Sequence, residues 1–284
     1  MEIKKVGIVG AGTMGNGIAQ AFATSGYDVV MRDIKQEFVD RGMSTIKKSL
    51  ERMASRNKIT TEAKDAALAR VTGTVDVAAL ADCDLVVEAA LENVELKTKL
   101  FRELDELCKP DAILATNTSS ISVTKIAAAT KRPSKVIGMH FFNPVPMMQL
   151  VEVIRALQTD DATCDAVLET SRKVGKTPHL VKDSYGFVVN RVLIPMINEA
   201  INCLYEGLAG PADIDDVMKL GANHPIGPLA LADLIGLDVT LNVMETLYQG
   251  FEDSKYRPSP LLKQMVDAGY LGRKTGRGFH KYDA

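Results

Sequence analysis

The chain carries no surplus of either charge. Its 34 Lys and Arg stand against 36 Asp and Glu over 284 residues, a net charge of −2. A dedicated nucleic-acid binder carries a basic excess, so no nucleic-acid partner is expected, although the balance leaves room for a small basic patch facing a phosphorylated ligand. No run of about 18 apolar residues occurs, so neither a membrane span nor a membrane partner is expected. Residues 3–9 form a strand-like run with no basic-then-apolar leader before it, which points to a cytoplasmic chain. The four cysteines, Cys83, Cys108, Cys164 and Cys203, lie far apart and make no CxxC. Reduced, buried thiols follow from that spacing. The four histidines, His140, His179, His224 and His280, make no HxxxH or HExxH. No metal site is expected from them. Asn117-Thr118-Ser119 fits the glycosylation pattern and, without an export signal, reads as chance. Internal repeats and low-complexity segments are also missing.

What is present is ordinary globular composition, 46% hydrophobic and 25% charged. At about 150 residues per domain, the length suggests two domains. Short β-branched or apolar runs at residues 6–9, 28–32, 85–88, 112–115 and 136–140 read as strands. Helical stretches at 16–25, 37–57, 60–70, 95–108 and 123–130 lie between them. That alternation predicts a mostly parallel sheet with helices on both faces, joined by right-handed crossovers. Helical periodicity dominates after about residue 184, at 188–205, 214–220, 229–247 and 261–268, each stretch bounded by Gly or Pro. The expected domains are therefore residues 1–184 and 185–284. The apolar stretch 229–241 suits either a monomer core or a dimer interface. Basic residues 273–278 read as a loop that either approaches a ligand or lies in solvent.

Gly10-Ala11-Gly12-Thr13-Met14-Gly15 fits GxGxxG. It follows a strand, opens a helix, and precedes a second strand ending at Asp33. In that context it is a dinucleotide fingerprint. Gly10 permits the tight turn, Gly12 lets a pyrophosphate approach the backbone, and Gly15 lets the helix pack close to the sheet. The helix N-terminus offers N–H groups and partial positive charge to the phosphates. Asp33 is placed to accept hydrogen bonds from the ribose hydroxyls and favours NAD. Arg32 beside it is a cation of the kind that receives a 2′-phosphate, so NADP stays open. The predicted class is α/β, a Rossmann-type doubly wound sheet followed by an all-α C-terminal domain.

Asn117-Thr118-Ser119-Ser120 follows one predicted strand, and His140 ends another. In an open parallel sheet these carboxyl ends face the ligand crevice. Glu152 interrupts the apolar run 150–153. A buried carboxylate needs a partner, and His140 is a plausible one. Such a pairing fixes the imidazole tautomer and stabilises the protonated ring. Each residue also has a structural reading: Ser119 as the cap of a helix beginning near Ser122, Asn190 as an ordinary first-turn residue, and Lys48, Arg52 and Arg56 as a solvated basic stripe at i, i+4 and i+8.

These motifs, with Gly138-Met139-His140-Phe141-Phe142-Asn143-Pro144, Gly186-Phe187-Val188-Val189-Asn190-Arg191, residues 220–228 and Leu271 to Phe279, carry a resemblance. Over essentially its whole length the chain resembles the L-3-hydroxyacyl-CoA dehydrogenase family, closest to its short bacterial members that act on 3-hydroxybutyryl-CoA. The resemblance implies a reversible, NAD(P)(H)-dependent reduction of acetoacetyl-CoA to (S)-3-hydroxybutyryl-CoA in short-chain acyl-CoA metabolism. It implies His140 as general acid/base, Glu152 as its paired carboxylate, and Ser119 and Asn190 as residues that bind and polarise the substrate. Gly10, Ala11, Gly12, Thr13, Met14, Gly15, Asp33, Glu92, Lys97, Asn117, Ser119 and Asn143 match cofactor-side or active-site-lining positions. Lys48, Arg52 and Arg56 fall near the CoA-phosphate contacts. The resemblance also implies a helical domain that binds substrate and forms a homodimer. A related hydroxyacid dehydrogenase acting on another substrate and a non-catalytic nucleotide-binding relative are the alternatives. The His140 and Glu152 chemistry counts against the lysine-dependent relatives.

Overall fold

A computed structural model of the chain describes residues 2–282; the end positions 1, 283 and 284 of the two expected domains lie outside the described residues. The chain divides into two compact units, Met1–Asp183 and Ser184–Ala284.

The first unit is built on one eight-stranded sheet. In chain order its elements are β1 (Lys5–Val9), α1 (Thr13–Thr24), β2 (Asp28–Arg32), α2 (Gln36–Ser55), α3 (Thr61–Ala69), β3 (Val71–Thr74), β4 (Leu85–Glu88), α4 (Val94–Leu107), β5 (Ile113–Thr116), α5 (Val123–Ala127), β6 (Val136–Phe141), β7 (Leu150–Arg155), α6 (Asp161–Lys173) and β8 (Thr177–Lys182). Strand order is β3-β2-β1-β4-β5-β6-β7-β8. The first six strands run parallel, in the doubly wound order whose reversal lies between β1 and β4. β4, β5 and β6 are buried along their whole length, as strands covered on both faces must be. β7 turns back antiparallel to β6, and β8 pairs parallel to β7.

The apolar faces of α1 and α2 close one side. Ile18, Phe22, Ile46 and Leu50 are fully buried in a core that also holds Val6, Ile8 and Met31. Gly15 is essential to that fit, because a Cβ there would lie 1.8 Å from the Gly10 carbonyl oxygen.

Three elements differ from the sequence reading. β3, α6 and β8 carry weak local signals. β8 is an edge strand with a polar, mostly exposed face and a proline at its second position, where a missing N–H is tolerated. β3 is the other edge, and its Gly73 makes room for Val39 and Met43 of α2.

The second unit is helical: α7 (Val189–Tyr205), α8 (Pro211–Ala222), α9 (Pro228–Ile235), α10 (Leu237–Phe251) and α11 (Pro260–Asp267). The stretch 229–247, expected as one helical region, is two helices. Gly236 breaks it with φ of +104°, a conformation closed to most L-residues. Ile197, Ile201, Leu229, Leu237, Met244 and Leu247 form the core of this unit. The apolar stretch therefore supplies core residues, while Leu234 and Val239 remain exposed. Residues 273–278 fold back as a turn bridged between Gly272 and Arg277.

Candidate active site

In the first unit, the carboxyl ends of β1 and β2 meet at the glycine turn. Helix α1 begins directly after Gly12, and Gly10 adopts φ of +104°. Asn16 pins the turn by donating from Nδ2 to the Gly12 carbonyl at 2.6 Å. Asp33 Oδ2 accepts the Ala11 N–H at 2.7 Å, and Oδ1 accepts the Ile34 N–H at 2.6 Å. A cleft of about 670 Å³ opens here, lined by Gly10 to Met14, Arg32, Asp33, Phe38, Arg41 and Ala89 to Leu91. A Cβ at Gly12 would meet nothing within 4 Å, so the backbone is bare toward the cleft. Bare backbone at a helix N-terminus with a carboxylate beyond it fits a dinucleotide.

Further along the same edge, β4 and β5 carry a buried charged network. Lys97 on α4 is 1% exposed and places Nζ 2.6 Å from Glu88 Oε1 and 3.3 Å from Glu92 Oε2. Glu88, fully buried at the end of β4, also accepts the Ala90 N–H at 2.7 Å and the Thr116 hydroxyl at 2.7 Å. Glu92 Oε1 accepts the Thr118 hydroxyl at 2.5 Å and the Ser119 N–H at 2.9 Å. The Ser119 hydroxyl lies 3.3 Å from the same oxygen. Burial raises the Glu92 carboxyl, but the Lys97 ammonium with the Thr118 and Ser119 donors outweighs it and holds the group below its ordinary value. Sequence reasoning reached Glu92 and Lys97 only through the resemblance. It missed Glu88, Thr116, Thr118 and Asn16. A carboxylate closing a buried strand, nine residues before a lysine on the next helix, is the signal that could have found the ion pair.

The antiparallel register of β6 and β7 makes His140 and Glu152 direct cross-strand partners. Opposed residues in such a ladder project to one face, and Nδ1 of His140 lies 2.9 Å from Glu152 Oε2. Both residues are buried, and the His140 ring packs on Phe142 with centroids 4.5 Å apart. Asn117 Oδ1 accepts the Phe141 N–H at 2.8 Å, tying the end of β5 to the residue after His140. Lys176 braces the loop that follows, donating from Nζ to the Met148 carbonyl at 2.8 Å and to the Val145 carbonyl. Asn143 lies exposed in that loop, joined to Pro144 by a cis peptide bond.

Ser119 does not cap α5; the Ser122 hydroxyl does, accepting the Lys125 N–H. Asn190 sits in the first turn of α7, in the second unit. Lys48 and Arg52 are exposed on α2 and Arg56 just beyond its end, away from the buried stripe of Val39, Gly42, Ile46 and Leu50. These three basic residues are not among the cleft lining, which instead includes Arg41 and Lys99. Among the described residues no helix is long and apolar enough to cross a membrane.

Known proteins resemble the chain along its whole length. Residues 5–184 match the family model described as 3-hydroxyacyl-CoA dehydrogenase, NAD binding domain, and residues 186–282 match 3-hydroxyacyl-CoA dehydrogenase, C-terminal domain. The chain is 58% identical to a probable 3-hydroxybutyryl-CoA dehydrogenase of Deinococcus radiodurans, covering 98% of this chain and 100% of that one. It is 54% identical to a 3-hydroxybutyryl-CoA dehydrogenase of Bradyrhizobium diazoefficiens, covering 99% and 96%. A solved (S)-3-hydroxybutyryl-CoA dehydrogenase from Ralstonia eutropha superimposes with a TM-score of 0.97 at 57% identity, with 100% of both chains covered.

Proposed function

The chain belongs to the 3-hydroxyacyl-CoA dehydrogenase family, and on that premise we propose that it reversibly reduces acetoacetyl-CoA to (S)-3-hydroxybutyryl-CoA. The observation that carries this reading is the buried His140–Glu152 pair on the same sheet edge as the glycine-turn cleft. NAD, when bound along that edge, supplies or receives the hydride.

His140 handles the proton. Nδ1 faces Glu152, so Nε2 is the atom that donates to the substrate 3-oxygen during reduction and withdraws the hydroxyl proton during oxidation. Glu152 holds the ring in one tautomer and balances its charge when both nitrogens are protonated. Ser119 donates a hydrogen bond to the same oxygen and steadies the charge that develops there. Asn143 lines the site on the cofactor side, and Asn117 supports it through Phe141. Asn190 is carried over on its motif alone as a substrate-binding residue. Lys48, Arg52 and Arg56 are read as CoA-phosphate contacts, supported by their shared exposed face. The carboxylate of Asp33 at the cleft favours NAD over NADP.

Cytoplasmic residence is part of this reading. Its support is the set of free thiols, Cys83, Cys108, Cys164 and Cys203.

The test is NADH oxidation with acetoacetyl-CoA, followed at 340 nm. His140→Ala should lose about 10²-fold or more in kcat while binding NADH nearly as the parent does. Retained turnover in that variant would remove His140 from the reaction. A parent enzyme inert toward acetoacetyl-CoA would remove the substrate assignment.

A further inference from the structure

The Glu88–Lys97–Glu92 network, buried at Glu88 and Lys97 and partly open at Glu92, has a charge as well as a shape. Glu88 accepts from three donors, the Ala90 N–H, the Lys97 ammonium and the Thr116 hydroxyl, as an acceptor-only carboxylate does. Glu92 likewise receives Thr118 and Ser119 donors beside the same ammonium. Two carboxylates against one ammonium leave a net charge of −1. Lys97 and Glu88 are sealed from water, so solvent screens this charge poorly.

The location follows from strand order. Asp33 directly follows β2 and would take the ribose of the adenosine half, and the glycine turn after β1 would take the pyrophosphate. The rest of a dinucleotide must continue across β4 toward β5 and β6. The cleft wall there is Ala89 to Leu91, flanked in sequence by Glu88 and Glu92, and Ala90 is hydrogen-bonded to Glu88. On that course the redox-active ring would lie beside the network, whose residues adjoin the cleft-lining Ala89 to Leu91. That ring is positively charged in NAD⁺ and neutral in NADH.

We propose that Glu88 is a charge-setting positioning residue: by making the network net negative it favours the oxidised cofactor over the reduced one. The inference rests on the cofactor assignment, not on the acyl substrate. Glu88 touches no substrate atom. It acts through Lys97 and through the charge left on Glu92, whose other oxygen holds the Ser119 turn.

Glu88→Gln tests this with little change of shape. The amide oxygen replaces Oε1 and still accepts from Ala90 and Lys97. The amide nitrogen replaces Oε2 and donates to Thr116, whose hydroxyl can accept as well as donate. The network charge then becomes zero. Dissociation constants of NAD⁺ and NADH are measured on the full-length protein by fluorescence or calorimetry, with no acyl-CoA present. The ratio Kd(NAD⁺)/Kd(NADH) should rise about three- to tenfold, as expected for one unit charge several ångströms away at an effective dielectric between protein and water. Thr116→Val, which loses a hydrogen bond but no charge, should leave the ratio within about twofold of the parent. If Glu88→Gln fails to fold, Glu92→Gln neutralises the half-exposed member instead and must move the ratio the same way. Both constants changing in parallel, an unmoved ratio, or an equal shift in Thr116→Val would each overturn the proposal. Because no acyl substrate enters the measurement, an enzyme inactive on acetoacetyl-CoA would leave this result standing, and the reverse also holds.

Discussion

Asp33 concentrates much of the cofactor chemistry in one side chain. Two backbone N–H groups, from Ala11 and Ile34, fix its carboxylate at the cleft and hold its charge there. A 2′-phosphate entering the same place would meet that charge directly. Arg32 could answer it, but its Nε is directed to the Val75 carbonyl at 3.3 Å. Asp33→Ser should therefore raise the NADPH-to-NADH ratio of kcat/KM about tenfold or more, as removal of one close like charge predicts. Paired steady-state assays with the two reduced cofactors measure it. A ratio that does not move, or a parent that already prefers NADPH, defeats the assignment. Asp33 was legible in the sequence because the fingerprint binds its position to a strand, a turn and a helix close together in the chain. Glu88 and Thr116 were not, because each reads locally as a polar end to an apolar strand. Their pairing, 28 residues apart, appears only when β4 and β5 lie side by side.

Elements were legible in proportion to how much of their stability is local. α4 is amphipathic and capped by Asn93, whose side chain accepts the Leu96 N–H, and it stands within a residue of its expected start. β8 is an edge strand without a clean alternation, and only its pairing to β7 defines it. The final segment is a third kind of element, held by side chains rather than by a ladder. Buried Asp233 on α9 accepts the Phe279 N–H, the His280 N–H and the Tyr282 hydroxyl. His280 Nε2 lies 2.7 Å from Asp215, which itself accepts the N–H groups of Leu229 and Ala230 at the start of α9. Burial, then the Asp233 hydrogen bond and charge, push Tyr282 up to about 12 from its ordinary 10.0. The unfolded chain releases that proton near pH 10 and the folded chain later. The stability Tyr282 contributes is thus complete below pH 10 and falls away between 10 and 12. Tyr282→Phe should be less stable than the parent by a constant margin up to about pH 10, and the margin should shrink above it. Denaturant unfolding of both proteins at pH 8, 10 and 11.5 decides the matter. A margin independent of pH would mean that the hydroxyl is not buried against Asp233 in solution.

At the scale of the molecule the two units differ in what their surfaces ask for. The first encloses its parallel strands between helices. Both leave some large apolar side chains exposed, Leu91 and Leu157 among them in the first, but the second is a small helical unit in which two of them share one helix face. On α8, Val217 and Leu220 are three residues apart and so share a face, with Leu220 87% exposed. Val192 on α7 and Leu208 just after it are exposed as well. Single exposed apolar residues are common, but paired positions on one helix face suit burial against another protein surface. A second copy of the chain is the partner we expect, in keeping with the dimer that the family resemblance implies. Sedimentation equilibrium at micromolar concentration should then give twice the 30.8 kDa mass of one chain. Leu220→Asp places a charge that would have to be desolvated in the interface, and should shift the equilibrium to single chains. NADH binding should persist in that variant, because the cleft lies wholly within the first unit. A parent that sediments as a single chain would remove the dimer from the account. A parent dimer that Leu220→Asp leaves intact would move the interface off this face of α8.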